Sequence, residues 1–193
     1  MRFMKTLKKN SLGILMHLVL VAIFLSACGD TGSQKINELE NDMPEMSIHE
    51  AVLTGNLEVV EKHIEAGTNI NEVEPMSGST PLISAATFDK KDIAEALIKA
   101  GADLTIANND GNTPLHSAAF FGRVEIVQLL IDAKADKTLR NNFGATPRET
   151  VMGPFSEIKP VYEMMQQQLA PLGMQLDMEQ LEKTRPVIAM MLQ

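Results

Sequence analysis

Apolar residues recur with helical spacing in three blocks: Leu57, Val59, Val60 and Ile64; Ile93, Ala94, Leu97 and Ile98; and Ile126, Val127, Leu130 and Ile131. Each block puts one apolar stripe on a helix and leaves its other positions polar. Ahead of the blocks stand small residues, Ala51, then Ala85-Ala86, then Ala118-Ala119, which predict shorter helices stacked closely on their neighbours. No single pair of such helices can bury its apolar face alone, so stability must accrue by stacking. The N-terminus has a different pattern. Arg2, Lys5, Lys8 and Lys9 precede an apolar run from Leu12 to Leu25 broken only by Gly13 and His17. At about 14 residues the run is short of the roughly 20 a membrane span needs, and its layout is that of a secretory signal. From Gly29 to Glu45 the chain is polar, and only Ile36, Leu39 and Met43 offer apolar contact, as expected for an acidic tether.

Punctuation between the blocks is regular. Thr80-Pro81-Leu82, Thr113-Pro114-Leu115 and Thr146-Pro147-Arg148 lie 33 residues apart, each two places after Gly78, Gly111 or Gly144. Threonine is a good N-cap and proline at the first helical position forfeits no hydrogen bond, so each Thr-Pro starts a helix. Gly55, Asp89 and Gly122 follow nine residues after Met46, Thr80 and Thr113. They suit the left-handed residue that ends a short helix. Ala66-Gly67, Ala100-Gly101 and Ala133-Lys134 close the longer helices. Lys134 stands where a left-handed glycine is expected, at a cost of about 1 kcal/mol unless that turn rearranges.

A 33-residue period with this content resembles the ankyrin repeat, a turn plus two antiparallel helices. The resemblance covers about 46–165 and implies an all-α solenoid with short β-turn tips. It divides into repeats 46–79, 80–112 and 113–145 and a degenerate cap at 146–165. Met46-Ser47-Ile48-His49 takes the place of Thr-Pro-Leu-His in the first repeat, with one extra residue in the loop that follows. In the fourth unit Arg148, Glu149 and Val151 replace the usual residues and Gly153-Pro154 breaks the first helix early, as a polar terminal cap requires. A second cap helix is expected over Ile158–Leu169, then a turn at Ala170-Pro171-Leu172-Gly173. A Met-rich helical tail at 166–193 follows, with Asp177 and Thr184 capping two short helices, Met178–Lys183 and Arg185–Leu192.

Leu25-Ser26-Ala27-Cys28 closes the N-terminal apolar run and resembles the lipobox of bacterial lipoproteins. This implies a signal peptide at 1–27, acylation of Cys28 and a tether at 28–45. Two or three acyl chains anchor far more firmly than one. Gly29 after the cysteine, in place of aspartate, implies the outer membrane facing the periplasm.

Composition narrows the function. With 17 Lys+Arg against 25 Asp+Glu the net charge is −8, and losing the four basic residues of the signal takes it to −12, so a phosphate-neutralising nucleic-acid binder is not expected. A single Cys can form neither an intrachain disulfide nor a Cys-rich metal site. No nucleophile elbow, phosphate loop or His/Glu metal spacing is present, so neither catalysis, a cofactor, a metal nor a small-molecule substrate is expected. For His49 and His116 the resemblance implies structural bonds to neighbouring turns, and His63 is expected to be a partly buried packing residue. Of thirteen Met, seven lie from Met152 onward; flexible core filling is preferred to copper(I) ligation.

Ankyrin arrays usually meet partners through turn tips and first-helix ends. The frame puts Met76, Asn109, Asp110, Asn112, Asn142 and Phe143 on the tips and Phe88, Phe120 and Phe121 at the helix ends. Exposed aromatics on one face are hot-spot material. The expected function is a lipid-anchored adaptor that holds an envelope protein in its concave face. The alternative is a spacer or assembly factor acting through the lipid and the tail.

Overall fold

The computed structural model describes residues 44–193; the signal peptide, Cys28 and all but the last two residues of the tether lie outside the described residues. Among the described residues there are eight α-helices and no strand. They are α1 (Ile48–Thr54), α2 (Leu57–Glu65), α3 (Pro81–Thr87), α4 (Lys91–Lys99), α5 (Pro114–Phe120), α6 (Val124–Asp132), α7 (Phe155–Leu169) and α8 (Met178–Met191). Short 3-10 turns occupy Glu149–Val151 and Ala170–Leu172.

The threonines cap as expected. Thr80 Oγ1 accepts from the Ile83 amide at 3.2 Å, and Thr113 and His116 form a reciprocal capping box. The first repeat starts one residue later than the frame implies. Ser47, not Met46, caps α1, accepting from the Glu50 amide at 3.2 Å, because a serine hydroxyl can hold an orphan N–H and a thioether cannot. Asp89 (φ 58°) ends α3 left-handed, and Arg123 braces that turn, donating to Asp89 Oδ2 at 3.4 Å and to the Thr87 carbonyl at 3.3 Å. Lys134 adopts φ 64°. Its amide donates to the Ile131 carbonyl at 2.9 Å and the Ala135 amide to Leu130 at 2.9 Å, matching Gly101 to Ile98 and Ala102 to Leu97. The turn is therefore regular, and the strain stays in the lysine backbone.

The short helices pack through alanine. Ala51, Ala85, Ala86, Ala118 and Ala119 are fully buried, with Leu82, Leu97, Leu115, Ile126 and Leu130 between them. This core continues into the C-terminal segment through Val151, Ile188 and Leu192. The fourth unit keeps only a 3-10 turn in place of a first helix. Its second helix starts at Phe155, three residues before the expected Ile158, and contains Pro160. The tail differs more. Asp177 caps α8, accepting from the Glu179 and Gln180 amides at 3.0 Å each, but α8 runs unbroken through Thr184. The Thr184 hydroxyl donates back to the Gln180 carbonyl at 3.0 Å, so it bonds within the helix instead of starting a second one.

Candidate protein-interaction surface

The tips form a hydrogen-bonded ladder with the 33-residue period. The Asn109 amide donates to the Ser77 carbonyl at 2.9 Å and the Asn142 amide to Asp110 at 3.0 Å. Each side chain repeats the step, Asn109 Nδ2 to the Met76 carbonyl and Asn142 Nδ2 to the Asn109 carbonyl, both at 2.9 Å. Asn112 Oδ1 accepts from Asn141 Nδ2 at 2.8 Å. Three of the asparagines assigned to partner contact thus already serve as rungs between repeats. Their side-chain dipoles hold the tips in register.

Among the described residues no repeat precedes that of the first tip, so its amides need another acceptor. Glu74 supplies it, with Oε1 accepting from Met76 N at 2.9 Å and Oε2 from Ser77 N at 2.7 Å. These bonds hold the Glu74 carboxyl below its ordinary value. Above the ladder, Met76 is 87% and Phe143 78% exposed, and the backbone of Asp110 is used while its carboxylate stays at the surface.

The helix-end phenylalanines are not free anchors, and this corrects their expected exposure. Phe121 is 6% exposed, and Phe88 and Phe120 are half-buried, in an apolar cluster with Tyr162, Met174, Leu176 and Leu181. Tyr162 lies 4.7 Å from Phe120, centroid to centroid, and Phe121 meets Phe120 edge-on at 5.1 Å. Tyr162 is fully buried; its hydroxyl donates to the Phe120 carbonyl at 2.6 Å and accepts from Arg185 Nη1 at 2.9 Å, and burial pushes its pKa up. The C-terminal segment therefore covers the ends of α3 and α5. Gly122 marks the closeness of fit, for a Cβ there would fall 2.8 Å from Leu181 Cδ2 and 2.9 Å from Thr184 Oγ1. A sequence signal for this existed in Ile158, Tyr162, Met165 and Leu169, a 4-3-4 stripe along one face of α7.

The histidines divide. His116 Nε2 bonds the Ala145 carbonyl at 3.0 Å and Nδ1 bonds Thr113 Oγ1 at 2.8 Å, tying the start of α5 to the turn that leads into the fourth unit. His49 does not follow: both of its ring nitrogens are buried without a hydrogen-bond partner, in the repeat whose helix starts late and whose loop is one residue longer. His63 is buried more deeply than expected, bonding the Met46 carbonyl at 2.8 Å and Thr68 Oγ1 at 3.1 Å. Of the late methionines, Met174 is buried, Met165, Met178 and Met191 pack against the two cores, and Met152, Met164 and Met190 are exposed.

Stacked helix pairs with tips laddered at 33-residue spacing define a helical repeat array of the ankyrin class. Residues 48–141 match the family model for ankyrin repeats in three copies, and the chain carries three ankyrin repeats. Over 64 residues the chain is 44% identical to protein phosphatase 1 regulatory subunit 27 of Mus musculus, covering 33% of this chain and 41% of that protein. It is 30% identical over 97 residues to the nuclear factor NF-kappa-B p105 subunit of Gallus gallus, covering 49% of this chain and 10% of that protein. Among solved structures it is similar to the ankyrin repeat domain of Bcl-3, a member of the IkappaB protein family, at TM-score 0.52 and 32% identity over 53% of this chain and 45% of that one. The chain thus spans less than half the length of these relatives. Such repeats are a protein-interaction scaffold.

Proposed function

We propose that the chain is a lipid-anchored adaptor of the bacterial envelope that binds a protein partner along the tips of its repeats, and that it is a binder rather than a catalyst. The observation carrying the reading is the contrast in exposure: Met76 and Phe143 project from a rigid ladder, whereas the helix-end aromatics are covered by the chain's own C-terminal segment. A partner then meets preorganised apolar anchors beside the Asp110 carboxylate, which lowers the ordering cost of binding. Lipid on Cys28, from the Leu25-Ser26-Ala27-Cys28 motif, would hold the array at the membrane, with the outer membrane facing the periplasm favoured by Gly29.

Two measurements test this in a bacterial host. Fatty-acid labelling of the full-length chain is expected, and is lost in Cys28→Ser; labelling that survives the substitution removes the anchor. A photo-crosslinker at position 143 is expected to trap a discrete envelope protein that Met76→Ser with Asp110→Ala no longer yields. A crosslink unchanged in that variant moves the interface away from the tips.

A further inference from the structure

Arg185 lies on α8 at 3% exposure. Its guanidinium makes three bonds, all to uncharged acceptors: Tyr162 Oη at 2.9 Å, the Gly153 carbonyl at 3.1 Å and the Thr150 carbonyl at 3.4 Å. Among the described residues no carboxylate lies within 4.0 Å of it to form an ion pair. Beyond these dipoles the guanidinium has only the face of the Tyr162 ring, 5.9 Å from its carbon to the centroid, and burying a cation with no opposite charge is costly. That is unusual in a chain of net charge −8, where carboxylates outnumber cations.

Arg185 also lines an open cavity of about 400 Å³ between the Glu149–Val151 turn, the start of α7 and the outer face of α8. Arg148 lines it too, and spends only Nε on the protein, donating to the Ala189 carbonyl at 3.1 Å. Its two terminal nitrogens are left for a ligand, and Arg185 keeps Nε–H and one Nη2–H. Val151, Phe155 and Met190 supply apolar wall, and Glu182 is the one acidic side chain in the lining. The side chains lining the cavity therefore sum to a single positive charge. Two guanidinium forks against apolar wall match the planar, bidentate geometry of a carboxylate carried on an apolar body, and the size is that of small-molecule sites. Glu182 weighs against a dianion.

We propose that this cavity is a binding site for a small amphiphilic monocarboxylate, its headgroup held by Arg148 and Arg185 and its apolar body against Val151, Phe155 and Met190. The site lies apart from the tip ladder and does not depend on the adaptor reading. Because Arg185 also bonds Tyr162, an occupied site would tighten the segment that covers the helix ends.

The test uses the full-length ¹⁵N-labelled chain in detergent, following the Arg185 Nε–H resonance while hexanoate, methyl hexanoate or hexyl phosphate is added. Hexanoate is expected to shift it saturably and the ester to leave it unmoved. Hexyl phosphate is expected to bind more weakly, a gap that closes in Glu182→Gln. Arg148→Gln, which spares the buried contacts of Arg185, is expected to weaken hexanoate about tenfold. Equal shifts from acid and ester, no saturation by about 10 mM hexanoate, or hexyl phosphate binding as tightly as hexanoate in the unsubstituted chain would each overturn the assignment.

Discussion

Residues 80–145 and residues 146–193 are built on opposite principles. In the first stretch each repeat copies the last: Thr cap, alanine-faced helix, left-handed stop and asparagine rung recur at 33 residues. In the second, nothing after the Thr146 cap repeats, and Tyr162, Leu181 and Arg185 each reach a different part of the array or of the segment itself. The periodic stretch is held by nearest-neighbour contacts. The aperiodic one is held by fit to a surface that the array alone would leave apolar. An ankyrin array therefore need not offer its helix-end aromatics to a partner, because the chain itself can occupy them.

Leu97→Ala tests whether the two stretches are one cooperative unit. It should cost about 2–5 kcal/mol in urea unfolding. Tyr162 is the only tyrosine and there is no tryptophan, so tyrosine fluorescence reports the covering segment while far-UV circular dichroism reports all helices. Coincident midpoints that fall together would join the stretches, and a fluorescence transition left in place would separate them. Gly122→Ala should cost about 2–4 kcal/mol, combining left-handed strain with overpacking against Leu181 and Thr184. Gly101→Ala, with nothing within 4 Å of its Cβ, should cost only about 1 kcal/mol. The difference should shrink in a Leu181→Ala background; if it persists there, the covering segment is not what makes Gly122 special. Lys134→Gly should stabilise by about 1 kcal/mol, seen as a higher melting midpoint, and no gain would mean that the lysine side chain offsets its strained backbone.

The smallest expected effect is that of pH on the bonds His116 makes between α5 and the turn ahead of Thr146. Burial holds the His116 imidazole below its ordinary 6.5, so the unfolded chain takes up a proton there more readily than the folded one. Its contribution is complete above about pH 6.5 and is lost as the pH falls toward the lowered value. Thermal melts across that range should show a steeper fall for the parent chain than for His116→Asn. Equal slopes would assign the dependence to other groups.

What was legible in the sequence is what the backbone dictates locally. Thr-Pro starts, left-handed stops and apolar stripes each follow from the residue itself, which is why α2 through α6 fall where their spacing puts them. Thr184 misled because a threonine that can cap a helix can equally bond within one, and only packing decides. Phe120 and Phe121 misled for a related reason. Their position on the face was correct, but exposure depends on what else the chain places there, and the stripe on α7 carries no label for its seat. The asparagine rungs were hidden because polarity at a tip suits solvent and a neighbouring tip equally well.

Gly122 and Phe121 belong to the third repeat, and they form the seat of the C-terminal segment. Lengthening by duplication is thereby restricted to one place. A copied 33-residue unit spliced in ahead of position 80 would preserve the seat, including Phe88 beside it, whereas one added after position 145 would put a new surface where Leu181 has to land. Descendants with longer arrays should therefore carry their newest repeats in the middle, between two ends that are inherited together.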